Sequence, residues 1–266
     1  MSADLASPGP GTVPAPEGEP YGPALPAIVP EPASRVEAGR RWPVHVWRFD
    51  HPLRVIGSGP YGGGLGERLW VINATVPRDY ARLDPDVHIA ELAAGLGLTG
   101  PGVGMMTAVD VGDAVTATDA GVGVVATVGL GYPTLAAAPD EDTPPEGGFI
   151  ADSGPAGGQP GISPPGARVG TINIVAFLPV PLSDAALVNA VVTATEAKVQ
   201  ALAGCGFAAT GTATDALVIA CPVPAPGGVV EPYGGPRSTW GARLARAVHA
   251  AVDQGARRWL AARRGA

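Results

Sequence analysis

The sharpest boundary in this sequence lies near residue 169. From Tyr132 to Arg168 the chain carries eight prolines and little apolar periodicity. Directly afterwards it reads VGTINIVAFLPVPLSDAALVNAVVTATEAKVQAL, Val169 to Leu202. A segment longer than about 15 residues without structure of its own is usually functional or disordered. The β-branched run that follows it predicts a buried strand over 169–178, and Pro179 and Pro181 close that strand. A helix is predicted from Ser183, which can cap it, with Asp184 in the first turn and Gly204 at the end. Val188, Val192, Val199 and Leu202 predict its apolar stripe, with Thr195 between them. Asn189, Thr193, Glu196 and Gln200 fall on a face that reads as solvated. Gly170-Thr171 therefore places a hydroxyl on the first residues of a buried strand, at the end of a loose segment.

Before that junction, PVHVWRF and LRVIGSG read as successive strands, and RLWVINATV as a third. DVHIAELAAGLGL reads as a helix ending at glycines. VGMMTAVDV and GVGVVATVGL read as strands separated by an Asp/Thr-rich turn. After the junction, TDALVIACPV is a further strand. A last helix from near Ser238 is expected to bury Trp240, Leu244, Val248, Val252 and Trp259/Leu260 on one stripe. Strands come in runs rather than in regular alternation with helices. The fold class expected is α+β, a single layered sheet-and-helix domain, with an αββα arrangement as its possible form. Residues 1–40 hold nine prolines and almost no β-branched or aromatic content. Such a segment buries too little to offset chain entropy, so a disordered tail is expected there, with the folded domain over 41–266 and a flexible loop at 132–168.

A net charge of −7 and a pI near 5.0 argue against nucleic acid as a partner, since phosphate binding needs a basic face. Arg257, Arg258, Arg263 and Arg264 read as cations suited to a helix C-terminus. Cys205 and Cys221 form neither a metal spacing nor a disulfide framework. No basic segment with an apolar core opens the chain, and no run of about 18 apolar residues occurs. A cytoplasmic protein with no membrane partner is the expectation, and Asn73-Ala74-Thr75 is set aside as a glycosylation acceptor. Oligomeric state is not readable.

Gly57-Ser58-Gly59-Pro60-Tyr61-Gly62 satisfies G-x-G-x-x-G. A dinucleotide site needs a helix to open at the third glycine, and here a turn and a strand follow. Pro60 also removes a donor from the would-be phosphate loop. A glycine-rich hairpin is the better reading, and its backbone could approach a large flat ligand closely. His45, His51, His88 and His249 are scattered, with no zinc motif, and no G-x-S-x-G elbow appears. Three hydroxyl-rich clusters remain: Thr171 with Asn173 on one strand face, Thr210 to Asp215 at the start of the next strand, and Thr195-Glu196 with Lys198 on the helix.

LWVINATVPRDY, VGMMTAVDV, the 169–202 segment, GTATDALVIAC and YGGPRSTWGARLARAVHAAV occur in the order and style of the adenosylcobinamide amidohydrolase family. GTIN, ATEAK and TGTATD are the most telling pieces, and the resemblance spans roughly residues 50–255. The chain departs from the family pattern in its proline-rich tail, its enlarged 132–168 loop and a GSGPYGGG turn less serine-rich than usual. The resemblance implies hydrolysis of the amide joining the aminopropanol arm of adenosylcobinamide to a corrin propionate. The partner is then the corrinoid substrate, whose cobalt is its own, and no cofactor or protein-held metal is implied.

The order strand, helix, TGTATDALVIA is also similar to the processed half of N-terminal-nucleophile aminopeptidases and ornithine acetyltransferases. That likeness places Thr171 at a nucleophile freed by cleavage of Gly170-Thr171, and the Thr212–Asp215 segment beside it. A free α-amine has a pKa of about 7.7–8.0 and can serve as base without a histidine. Asn73 is the candidate oxyanion donor, with backbone amides of the glycine turn as alternatives. The candidate catalytic set is Thr171, Asn73, Thr212 and Asp215. The candidate substrate contacts are Gly59, Gly62, Gly63, Thr107, Asn173 and Glu196. Two alternatives stay open: an amidohydrolase that never self-cleaves and uses Thr171 or an acid such as Asp110, Glu196 or Asp215 to activate water, and a corrinoid-binding protein without catalysis.

Overall fold

The computed structural model describes residues 28–131, 133–138 and 170–264. Ten strands and three α-helices follow one another as β1 (Glu31–Glu37), β2 (Arg40–Gly57), β3 (Gly64–Thr75), α1 (Pro85–Gly95), β4 (Gly102–Thr107), β5 (Val115–Asp119), β6 (Val122–Val128), β7 (Pro133–Thr134), β8 (Ile172–Phe177), α2 (Asp184–Gly204), β9 (Gly211–Thr212), β10 (Ala216–Pro222) and α3 (Thr239–Arg264). Eight strands form one mixed sheet in the order β4-β3-β2-β10-β8-β6-β5, with β1 paired to β2. Both parallel pairs, β3–β4 and β8–β10, are joined through a helix, α1 and α2 respectively, as parallel pairing requires.

The sheet folds over on itself. In sheet order β2 and β10 separate β3 from β8, yet Asn173 on β8 hydrogen-bonds Asn73 on β3. The bend runs through β2. Arg48 faces Trp70 and Leu53 faces Arg68, so five steps along β2 span two along β3. The excess residues include Pro52, which donates no ladder bond. The sequence reading split this stretch at Asp50-His51-Pro52; the structure carries one 18-residue strand through the irregularity. β5 also lies where a turn was expected, because Thr116 and Thr118 are the outward half of a strand whose Val115 is buried.

Three apolar layers result. Between the half-sheets, Trp47, Phe49, Val71, Met105, Val175 and Phe177 meet. Outside β5, β6 and β8, helices α2 and α3 pack on Val124, Ile174 and Ala176. Outside β2 and β3, helix α1 sets Ile89 and Leu92 on Trp70 and Ile72. The succession is helix, sheet, sheet, helix, with the correction that both β layers are halves of one hydrogen-bonded sheet.

Ser183 caps α2, accepting from the Ala186 N–H at 3.1 Å. The face of α2 differs from the one expected. Val188 and Val192 are exposed, while Ala186, Leu187, Ala190, Thr193, Ala194, Ala197 and Ala201 are buried. Alanines permit a close approach to Leu244, Val248 and Val252 of α3. Thr193 is tolerated inside because its hydroxyl donates to Gly234 O at 2.9 Å. The α3 stripe is as expected at Leu244, Val248 and Val252. Residues 31–40, assigned to the tail by composition, instead form β1 and its turn: β1 pairs with β2 over seven positions, and Trp47 Nε1 donates to Ile28 O at 2.8 Å. Residues 1–27 and 139–169 lie outside the described residues, and with them most of the two segments expected to be disordered or flexible. Among the described residues no helix is long and apolar enough to cross a membrane.

Candidate active site

Strand alternation builds the site. The residues that meet between the half-sheets recur every second position: Val71 on β3, Met105 on β4, Val125 on β6, Val175 on β8. Two residues further along the same faces stand Asn73, Thr107, Thr127 and Asn173, and Thr171 lies beyond Asn173. All five are at most 3% exposed. One end of an apolar interface is therefore polar, and three of its groups, Asn73, Thr127 and Asn173, bond to one another. Asn173 Nδ2 donates to Asn73 Oδ1 at 2.9 Å and to Met106 O at 2.8 Å. Asn73 Nδ2 donates to Thr127 Oγ1 at 3.2 Å. These bonds fix the orientation of both amides and leave Asn173 Oδ1 as a buried acceptor without a partner.

Thr171 stands at the edge of this cluster. Its hydroxyl lies 2.7 Å from that of Thr214, and its carbonyl accepts from Gly129 N–H at 3.0 Å. Asp215 ties the next residue down: Oδ1 accepts from Ile172 N–H at 2.9 Å. The same carboxylate accepts from the Thr212 hydroxyl and N–H and from Lys198 Nζ. Asp215 and Lys198 are 14% and 13% exposed at their side chains, so this ion pair is largely withdrawn from water.

Gly129 also lines a cleft of about 1040 Å³, together with Trp42, Thr75, Val109, Asp110, Val128 and Trp259. Small-ligand pockets run from about 300 to 1,000 Å³, so this one suits a large ligand. Asp110 Oδ1 is already engaged, accepting from Gly112 N–H at 2.8 Å. His45 faces Asn73 across the β2–β3 pair, and its Nδ1 is buried without a partner. Burial pushes the His45 pKa below that of free histidine, against the pull of Asp110, which favours the neutral ring.

Of the residues expected from sequence, Thr171, Asn73, Asn173, Thr212 and Asp215 come together. Thr107 is adjacent and buried, but its hydroxyl accepts from Val109 N–H at 3.1 Å and shapes the turn after β4. Glu196 does not join them. It is exposed, and two residues along a helix from Lys198 means the opposite side of it. The glycines have another role than the open backbone expected. A Cβ on Gly59 would lie 2.4 Å from Gly104 O, and one on Gly62 1.9 Å from Gly102 O. One on Gly63 would lie 2.6 Å from Gly59 O. The hairpin turn is thus packed against β4 and itself, and Ser58 Oγ is occupied by Leu217 N–H at 3.0 Å. Sequence reasoning passed over Lys198 and Thr214. Both stood inside hydroxyl-rich clusters it had marked, but only the β8–α2–β10 crossover brings them to Thr171. Among the described residues no group of three or more His, Cys, Asp or Glu side chains is arranged to hold a metal ion.

The Thr171 hydroxyl meets that of Thr214, Asp215 holds the next residue, and Gly129, whose N–H donates to the Thr171 carbonyl, lines the cleft. The family model described as adenosylcobinamide amidohydrolase (CbiZ) matches residues 29–264. The chain belongs to that family. An adenosylcobinamide amidohydrolase of Halobacterium salinarum is 36% identical over 203 residues, 75% of this chain and 78% of the relative. One of Methanosarcina mazei is 37% identical over 95 residues, 34% of this chain and 48% of the relative. Among solved structures, the PH0078 protein from Pyrococcus horikoshii OT3 aligns over 90% of this chain and 88% of its own, with TM-score 0.43 and 11% identity.

Proposed function

We propose that the protein hydrolyses the amide joining the aminopropanol arm of adenosylcobinamide to its corrin propionate, releasing adenosylcobyric acid and 1-amino-2-propanol for corrinoid salvage. The observation that carries this reading is the family match across residues 29–264. The 1040 Å³ cleft beside Gly129 and Thr171 supports it, since the substrate is large. The cobalt enters and leaves with the corrinoid, and no resident cofactor is part of the reading.

Thr171 is the nucleophile in this reading. Its Oγ bonds to the amide carbon, the hydroxyl proton passes to a base, and the C–N bond breaks as the departing nitrogen takes a proton. Water then hydrolyses the threonyl ester and restores the hydroxyl. If Gly170-Thr171 is cut, the freed α-amine of Thr171 is the base, and the Thr214 hydroxyl at 2.7 Å orients the nucleophile. Asn73 is the oxyanion donor: one of its two amide hydrogens is engaged by Thr127, and the other is available. Asn173 Oδ1, a buried acceptor without a partner, is the substrate contact for an N–H or O–H of the arm. Thr212 and Asp215 order the start of β8. The alternative, water activated by a carboxylate, rests best on Asp110, which lines the cleft. Denaturing mass spectrometry tests the processing step, since cleavage at Gly170-Thr171 leaves two fragments. Chromatography of adenosylcobinamide incubated with the protein tests the reaction, and lack of both products would sink it.

A further inference from the structure

We propose that Lys198 is a positioning residue for this hydrolysis, acting through Asp215 to hold Thr171 in place; the inference rests on the function proposed above. Lys198 Nζ lies 2.5 Å from Asp215 Oδ2, and the other oxygen of that carboxylate accepts from Ile172 N–H at 2.9 Å. The residue before Asp215 and the residue before Ile172 are the two that share the hydroxyl contact, Thr214 and Thr171. A single carboxylate therefore fixes the backbone one step from the hydroxyl on both strands. Lys198 is the group that anchors this carboxylate to the rigid helix α2.

Three features separate this pair from an ordinary surface ion pair. Both side chains are about seven-eighths withdrawn from solvent, at 13% and 14% exposure. Such pairs contribute little net stability once desolvation is counted, so their geometry is the more telling property. The carboxylate has four donors, from Lys198, Ile172 and twice from Thr212, which leaves it one orientation. Finally, Gly211 makes room for the pair. A Cβ there would lie 2.2 Å from Asp215 Oδ2 and 2.6 Å from Lys198 Nζ. The backbone of Gly211 lies in β9, outside the left-handed region, so its lack of a side chain answers to the ion pair rather than to conformation.

The test compares Lys198→Met, Lys198→Arg and Gly211→Ala with the parent, and uses Arg54→Ala as control, since Arg54 pairs with Asp184 at the exposed start of the same helix. Misplacement of a reacting group by about 1 Å can cost about a hundredfold in rate. Lys198→Met is expected to lower kcat between about tenfold and a hundredfold with KM within about threefold. Lys198→Arg should recover most of that loss, and Gly211→Ala, which keeps both charges but wedges them, should lower kcat in the same way. Hydrogen exchange supplies a readout besides activity: the Ile172 amide should lose protection in Lys198→Met and Gly211→Ala, while amides of α3 keep theirs. A folded Lys198→Met protein with parental kcat overturns the proposal, as does an unchanged Ile172 exchange rate. Equal loss in Lys198→Met and Arg54→Ala overturns it too, by showing a general effect of ion-pair removal. An inactive parent protein would instead overturn the function itself, and the positioning role with it.

Discussion

Thr171 Oγ1 lies 2.7 Å from Thr214 Oγ1, and the residues that follow them, Ile172 and Asp215, are hydrogen-bonded as well at 2.9 Å. Two strand beginnings are thus riveted side by side, one hydrogen bond from Gly129 of the cleft wall. Thr214 is itself exposed, but the Thr171 hydroxyl that it meets is buried and has no other partner among the described residues. Its contribution should therefore fall both on the reaction and on stability. Thr214→Val keeps the shape and removes the hydrogen bond, worth about 1 kcal/mol. Turnover is expected to fall about fivefold to tenfold, with a loss of about 1–2 kcal/mol of stability from the stranded Thr171 hydroxyl. Steady-state kinetics beside a thermal melt decide this, and parental kcat in the variant would deny Thr214 a part.

Gly62 distinguishes a packed turn from an open substrate wall. Its φ is +62° and a Cβ would overlap Gly102 O, so Gly62→Ala must displace β4 or the turn. A loss of roughly 2–4 kcal/mol is expected, read as a clear drop in melting temperature. If the melt were unchanged and only KM rose, the glycines would be substrate contacts after all.

Much of this was legible in the sequence because strands with β-branched residues and helices with caps leave local signals. Ser183 and the Leu244–Val248–Val252 stripe are examples. The face of α2 was misread for a physical reason. Apolar periodicity favours valines, while a close helix contact selects alanines, so Val188 and Val192 looked like core and Ala190 and Ala194 looked neutral. Thr193 looked solvated because its acceptor, Gly234 O, lies 41 residues away. The same long-range dependence hid Lys198. Its charge suits a carboxylate where that of Glu196 does not, but only the return of β10 beside β8 shows that Asp215 is that carboxylate. Composition erred at residues 31–40 because an edge strand such as β1 is held by ladder bonds to β2 rather than by burying its own side chains.

The β1 pairing sets a truncation limit. A chain beginning at Ile28 is expected to keep the parental melting temperature and activity. A chain beginning at Arg41 removes the partner of β2 over seven positions and the acceptor for Trp47, and should melt several degrees lower. Equal melting temperatures for the two truncations would show that β1 contributes nothing.

His88 gives the fold a pH dependence. It is 3% exposed, with Nδ1 3.0 Å from Tyr80 Oη and Nε2 3.5 Å from Glu37. Desolvation lowers its pKa in the folded protein, and Glu37 opposes this only partly. The unfolded chain, with an imidazole pKa of about 6.5, then binds the proton first as pH falls. Stability from this group is complete above about pH 6.5 and declines as pH drops below it. Melting temperatures measured from pH 7.5 to 5.5 should decline in the parent and decline less steeply in His88→Gln. His45, whose pKa is lowered by burial in the same direction, accounts for part of the remaining slope. Identical slopes in both proteins would exclude His88 as a source.

The most direct measurement is the release of 1-amino-2-propanol and adenosylcobyric acid from adenosylcobinamide by the parent protein and by Thr171→Ala. The alanine variant loses the hydroxyl and its bond to Thr214 but keeps the Ile172–Asp215 and Gly129–Thr171 backbone contacts, so it should fold. Expected is stoichiometric formation of both products by the parent and a loss of several orders of magnitude in Thr171→Ala, since covalent attack supplies much of the barrier reduction. A folded Thr171→Ala protein that releases aminopropanol at the parental rate would contradict the account.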